Sequence, residues 1–322
     1  GSEDLGGGLS AQFQIEHRFR PDTGAVTNPT FWHGRTYVQL TSASLGRVYL
    51  GREYSPAYWP ANLTDPAGTS KKVEKPTPYN FFHGPSYSDG CRALVQWAAA
   101  DFKKKGGKGK AKFVYMGDNH PYPNSAKEAC MAYAGKQGME VLPVIQYSMA
   151  PADFKAQCLS LKETGANYTY LANAANATIA LLKSCATVGV KTQYLTNIYA
   201  YSEPVMTAIG DAADGVVAPI HVAPWGTDVS GMRRVREIGG AEPKSTFYMA
   251  ALCTMMYLRE ALITADKSGG VTGENVRKAM YAKANWEPEG LAGVCAPATW
   301  TDKDHRSVID VHIVQETMSG GK

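Results

Sequence analysis

From about Pro76 onward, short apolar runs alternate with stretches whose apolar residues recur at helical spacing, and this rhythm narrows the folds open to the chain. Lys112 to Met116 is an apolar run closed by Gly117-Asp118, and Ser125-Ala126-Lys127-Glu128 has the spacing of a capping box that opens a helix ending near Gly138. Glu140 to Ile145 reads as the next strand. Asp153 to Glu163 carries Phe154, Cys158 and Leu161 on one helical face, Tyr168 to Ala172 can be a buried strand, and Ile179, Leu182 and Ala186 stripe a helix as far as Gly189. Gln193 to Thr196 and Gly215 to Ile220 supply two further strands around a Ser202 to Ile209 helix. Such alternation implies a parallel sheet with helices on both faces, and the handedness rule for crossovers leaves an α/β, doubly wound open sheet.

In a sheet of this kind ligands sit outside the carboxyl ends of the strands. The residues at those ends are Asp118 to Tyr122, Tyr147 to Met149, Asn173 to Asn176, Asn197 to Tyr201 and His221 to Trp225. They are rich in Tyr, Asn and Trp, and hold no Ser, His and Asp grouping at a nucleophile elbow. The expectation is a surface that holds a small molecule without turnover, with no catalytic residue. The competing reading of Tyr122, Tyr199 and Tyr201 is packing at the sheet edge with wet hydroxyls. Cys91, Cys130, Cys158, Cys185, Cys253 and Cys295 form no C-x-x-C pair and no cluster with histidine, so neither a metal nor another cofactor is expected. They read as core residues, with disulfides and their pairing left open.

The first sixty or so residues follow a different rhythm. Ala11, Phe13, Ile15 and Phe19 alternate with Gln12, Gln14, Glu16 and Arg18, a period of two that makes a strand. Thr36 to Leu40 and Arg47 to Leu50 are further strands, separated by turn-rich pieces such as Pro21-Asp22-Thr23-Gly24, and together they suggest a three-stranded antiparallel meander. The division expected is a β segment over 1–66 and an α/β domain over 67–322.

With 322 residues, 44% hydrophobic and 19% charged, the chain has room for two globular domains. Its formal charge of +4 is concentrated in Lys103-Lys104-Lys105-Gly106-Gly107-Lys108-Gly109-Lys110, which reads as a solvated connection, so no nucleic-acid partner is expected. No stretch reaches the ~20 apolar residues of a membrane-spanning helix. The opening Gly1-Ser2-Glu3-Asp4-Leu5 lacks the progression of a secretory leader and is read as the start of a mature form or a fragment.

Phe113-Val114-Tyr115-Met116-Gly117-Asp118 with the Tyr122 loop, Ala152-Asp153-Phe154-Lys155-Ala156-Gln157, Leu182 to Val190 and Gly210-Asp211-Ala212-Ala213-Asp214-Gly215 occur in an order that resembles the type I periplasmic binding proteins of the Leu/Ile/Val-binding class. Pro78 to Phe82 with the Ser88-Asp89-Gly90 helix start resembles that family's entry into its second lobe, and Tyr248 to Ala265 its long returning helix. Gly290 to Gly293 with Ala298 to Asp302 resembles its closing hairpin. The likeness covers about Lys72 to Gln315. It implies two α/β lobes joined by a hinge, closing on a small-molecule ligand that passes to an ABC permease in the inner membrane, and it implies a Gram-negative periplasmic location. Carried over position by position, the ligand contacts would be Tyr122, the loop with Asn173, Ala174 and Asn176, and the loop with Asn197, Tyr199 and Tyr201. Amino-acid binders of the class place a carboxylate in the latter loop to meet the ligand ammonium group, whereas this chain has Asn197-Ile198-Tyr199. Among small amino-acid-like or carboxylate ligands, one without an ammonium group, such as an aromatic or aliphatic carboxylate, fits better.

The class also implies a first lobe of about a hundred residues before Lys72, with a loop rich in Gly, Ser and Thr. Ser2 to Leu9, Phe13-Gln14-Ile15-Glu16 and Ser44 to Tyr54 instead resemble strands of Gram-negative general porins. Porin barrels need many more strands, so this piece cannot close one. A lone second lobe would bind weakly, because closure of two lobes supplies much of the burial. Two other function classes remain: an outer-membrane pore for passive diffusion of small solutes, resting on 1–66 alone, and an enzyme on a doubly wound sheet.

Overall fold

A computed structural model of the chain describes residues 1–16, 35–52, 79–307 and 311–318. The Pro21-Asp22-Thr23-Gly24 turn, the end of the expected first strand at Arg18 and Phe19, and Pro78 lie outside them. The chain divides into two compact units, Gly1–Pro66 and Ala67–Lys322.

The described residues of the first unit form an antiparallel sheet of four strands in sequential order, β1 (Ser2–Gly6), β2 (Leu9–Ile15), β3 (Thr36–Ser42) and β4 (Gly46–Arg52). The meander therefore has one more strand than its alternation suggests. β1 carries too few apolar residues to show a period of two, and its pairing with β2 across a Gly-Gly turn is what makes it a strand. The register sets Phe13 opposite Val38 and Val38 opposite Leu50, so these share a face, and all three are exposed. On the other face Tyr37 and Gln39 are buried and hydrogen bonded to Gln14 and Gln12.

The second unit is built on β5 (Lys112–Gly117), β6 (Glu140–Val141), β7 (Ile145–Gln146), β8 (Tyr168–Ala172), β9 (Gln193–Thr196), β10 (Val217–Ile220) and β11 (His312–Gln315). The order across the sheet is β6, β5, β8, β9, β10, β11, with β7 also on β5. β5 through β10 run parallel and β11 is antiparallel on the edge. The strand expected over Glu140 to Ile145 is two short pieces, because Pro143 between them has no N–H to give the ladder.

Alternation along β5 fixes the two layers. Phe113 and Tyr115 face a cluster built with α1 (Tyr87–Lys104) and α3 (Lys127–Lys136), while Val114 and Met116 face one built with α4 (Lys155–Thr164), α5 (Ala175–Thr187) and α6 (Glu203–Ile209). Each fully buried side chain of this size contributes roughly 1.5–3 kcal/mol. A third cluster gathers α7 (Met232–Gly239), α8 (Thr246–Lys267) and α9 (Gly273–Tyr281) around Trp286 and Trp300. The expected closing hairpin is reduced to mutual hydrogen bonds between Trp286 and Ala298.

All six cysteines are paired: Cys91–Cys130 joins α1 to α3, Cys158–Cys185 joins α4 to α5, and Cys253–Cys295 ties α8 to the segment before Trp300. One disulfide thus lies in each cluster.

Candidate functional site

β6 and β7 lie on one side of β5, and β8, the next strand in the chain, lies on the other. The direction of winding therefore reverses between β5 and β8, and the carboxyl ends there form the crevice in which open sheets bind ligands. Gly117 makes the approach close enough, since a Cβ at that position would come within 3.0 Å of the Ala172 carbonyl and 3.1 Å of Pro123.

Tyr122 sits over this crevice on a four-residue helix, α2 (Pro121–Asn124). His120 caps it by accepting the Tyr122 N–H on Nδ1, and Pro121 occupies the first helical position, where a missing N–H costs nothing. The Ser125 hydroxyl donates to the Tyr122 carbonyl, and α3 starts one residue after the expected cap, from Ala126, which offers no side-chain cap. A capping box does open α1, where Ser86 and Asp89 bond reciprocally.

That box places Tyr87 in the first turn of α1, beside the crevice. The rings of Tyr87 and Tyr122 lie 5.3 Å apart, Tyr87 and Tyr199 5.8 Å, and Tyr122 and Tyr199 6.1 Å. Phe247, in the first turn of α8, adds a fourth ring 6.4 Å from Tyr199. Tyr199 is exposed, while Tyr87 and Tyr122 are half-buried. Burial, followed by the proximity of Tyr199 and Tyr122, pushes the Tyr87 hydroxyl far above the ordinary phenol range, and burial raises Tyr122 as well. These phenols stay neutral at every working pH.

Asn197 is buried and committed to the scaffold. Its Oδ1 accepts the N–H groups of Tyr199 and Ala200, and its Nδ2 donates to the Tyr122 hydroxyl at 3.1 Å. Asn173 is likewise buried, its amide donating to the Tyr147 carbonyl and its Oδ1 accepting from Ala174. The Tyr122 hydroxyl donates to the Asn173 carbonyl at 3.4 Å. Ala174 is the N-cap of α5 and offers no side-chain cap, so the first-turn N–H groups of α5 open toward the crevice. Asn176 is exposed on that turn. Tyr201 leaves the group: it packs into the α4, α5 and α6 cluster and donates to Glu316 at 3.1 Å. Tyr147 and Trp225, also at strand ends, pack into clusters, Trp225 under the Arg236 guanidinium at 5.7 Å.

The structure thus brings Tyr122, Asn173, Ala174, Asn197 and Tyr199 together and adds Tyr87 and Phe247, which strand-end reasoning overlooks because they belong to helix starts. The Ser86-x-x-Asp89 spacing is the signal that would have located Tyr87. Carboxylates near this end are engaged. Asp118 accepts the N–H groups of Asn119 and Met149, and Glu203 accepts the N–H and hydroxyl of Thr246. Among the described residues no group of three or more His, Cys, Asp or Glu could hold a metal ion.

Behind the crevice, three segments run side by side from the sheet to the third cluster. Phe82 bonds His305 and Ser307, Gly84 donates to the Ser307 hydroxyl, and Val222 bridges to Cys295. His83 and His221 meet here with ring centroids 4.8 Å apart. Burial and then the neighbouring His221 lower His83 to about 3, and burial lowers His221 to about 4.

An α/β fold whose winding reverses at an aromatic crevice offers the place where open sheets hold a small molecule. The family described as periplasmic binding protein matches residues 46–322, and the chain belongs to that family. Solved structures with the same fold include a branched chain amino acid ABC transporter from Thermus thermophilus with bound valine, at 20% identity and a TM-score of 0.68, covering 77% of this chain and 67% of that one. An ABC transporter substrate binding protein from Aeropyrum pernix has 18% identity and a TM-score of 0.67, covering 84% and 80% of the two chains. A fatty acid ABC transporter substrate-binding protein from Thermomonospora curvata has 18% identity and a TM-score of 0.65, covering 78% and 68%. No curated protein sequence matches. The family is described as periplasmic binding protein, and nothing in these similarities supports a pore. No helix among the described residues is long and apolar enough to cross a membrane.

Proposed function

We propose that the Ala67–Lys322 unit captures a small carboxylate with an apolar or aromatic body, lacking an ammonium group, and presents it to an ABC permease of the inner membrane. The observation that carries this reading is Asn197, which stands where an ammonium-binding carboxylate would be needed and is itself spent on Tyr122 and the following turn. An ammonium group brought here would gain roughly 0.5–2 kcal/mol from the ring faces but find the nearby carboxylates engaged, and burying a charge without a counter-ion costs more. A ligand carboxylate would meet the uncapped N-terminus of α5, where backbone N–H groups and the helix dipole favour an anion. The rings of Tyr87, Tyr122 and Tyr199 would cover the ligand body.

The test is a ligand-observed NMR screen pairing each aromatic or aliphatic carboxylate with its α-amino counterpart. Carboxylates should bind and their amino counterparts should bind at least tenfold more weakly. Equal or tighter binding of the amino acids removes the reading.

A further inference from the structure

The loops that enter the parallel strands lie at the end of the sheet opposite the crevice, roughly 20 Å away along a six-residue strand. Charge is distributed very unevenly there. The run from α1 into β5 supplies Lys103, Lys104, Lys105, Lys108, Lys110 and Lys112, and the loops entering β6, β8 and β9 add Lys136, Lys162 and Lys191. Against them stand Asp101, Glu140 and Glu163, and Asp101 already holds Lys105 at 2.8 Å. Asp211 and Asp214 lie farther along, beside β10. Around the entries of β5, β6, β8 and β9, nine lysines thus face three carboxylates, while Glu316 joins Asp211 and Asp214 beside β10.

The run is a built platform. Lys105, Gly106 and Gly107 donate their N–H groups to Asp101, Lys103 and Phe102, and Lys112 donates to the Asn167 side chain at 2.8 Å. The Phe102 ring packs beneath Gly107, where an added Cβ would lie 2.5 Å from it, and Phe102 in turn meets the Tyr168 ring. Every residue from Lys103 to Lys110 is exposed.

We propose that, between deliveries to a permease, this end of the sheet docks the Ala67–Lys322 unit on an anionic phospholipid surface, with the crevice turned to the aqueous side. From Lys103 to Lys112 the sequence holds only Lys and Gly apart from buried Ala111. Ammonium groups are compact point charges without the fork of an arginine, and the run itself holds no ring and no side-chain amide. Such a surface has no means of reading a base or a shaped acidic epitope, but it suits a smeared lattice of headgroup phosphates. The attraction should decay within a Debye length and weaken with salt.

The experiment is co-sedimentation of the full chain with phosphatidylcholine vesicles and with vesicles containing phosphatidylglycerol, at low and at physiological salt. Binding should be at least tenfold stronger on anionic vesicles and fall as salt rises. Replacing Lys103, Lys104, Lys108 and Lys110 by Gln should remove at least tenfold of that binding without changing the melting temperature. Replacing Lys155, Lys183, Lys244 and Lys267 by Gln should remove less than threefold. Equal loss in the two quadruple variants, or equal binding to neutral vesicles, would overturn the proposal. Complete release from anionic vesicles by polyglutamate at matched charge would also overturn it, in favour of an acidic protein partner.

Discussion

The side-chain amide of Asn197 donates to the Tyr122 hydroxyl at 3.1 Å, linking the loop after β9 to the loop after β5. Because the same Asn197 also caps the turn through Ala200, it sets both the position of Tyr199 and the charge of the crevice. Asn197→Asp keeps the cap and adds a negative charge. α-Amino acids should gain at least tenfold in affinity and carboxylates lose at least tenfold, measured by competition NMR. An unchanged ligand order would place the site elsewhere.

Tyr199 and Tyr201 should separate in function. Tyr199 is 53% exposed, so Tyr199→Ala should change stability by less than about 0.5 kcal/mol while weakening ligand binding about tenfold. Tyr201→Phe loses its hydrogen bond to Glu316 and should cost about 1 kcal/mol of stability with no effect on ligand. Denaturant melts and titrations of both variants check the contrast.

Three disulfides should make the chain sensitive to reductant. They close loops with sequence separations of 39, 27 and 42 residues. Chain entropy assigns roughly 3.5–4 kcal/mol to each, least to the shortest. Guanidinium melts with and without dithiothreitol, together with non-reducing peptide maps, test this. A midpoint insensitive to reductant would contradict it.

The His83–His221 pair should set a pH dependence. Both rings are neutral in the folded chain, with midpoints at about 3 and about 4, whereas unfolded imidazoles titrate near 6.5. As pH falls, the unfolded chain takes up these protons first. The stability they contribute is therefore complete above pH 6.5 and is lost between there and about 4 for His221 and about 3 for His83, by up to about 1.4 kcal/mol per pH step and imidazole. Urea midpoints between pH 7 and 5, above the range of most carboxylates, should decline, and His221→Gln should reduce the slope. A flat midpoint would contradict the assignment.

The crevice was legible as a place but only partly as a set of residues. Tyr122 and Tyr199 are readable from two signals together, their place at strand ends, which the short apolar runs mark, and the likeness of their loops to the ligand-facing loops of the family. Asn173 and Asn197 were named on the same grounds, yet their side chains hold loops together, a role that depends on which carbonyls and N–H groups come within reach. Tyr201 points to the opposite face, which spacing within a loop does not specify.

The sequence by itself determined the parallel α/β order, because runs of the Phe113 to Met116 kind can only be buried on both sides, and because a period of two or of 3.6 is a local property of the backbone. It also determined the Asn197 substitution and the lysine run. Only the tertiary structure decided the pairing of the six cysteines, the meeting of Tyr87 and Phe247 with Tyr122 and Tyr199, and the gathering of Lys136, Lys162 and Lys191 beside that run. Each of these joins residues far apart in the chain, and such contacts are fixed by how helices pack across the sheet rather than by any neighbour in sequence.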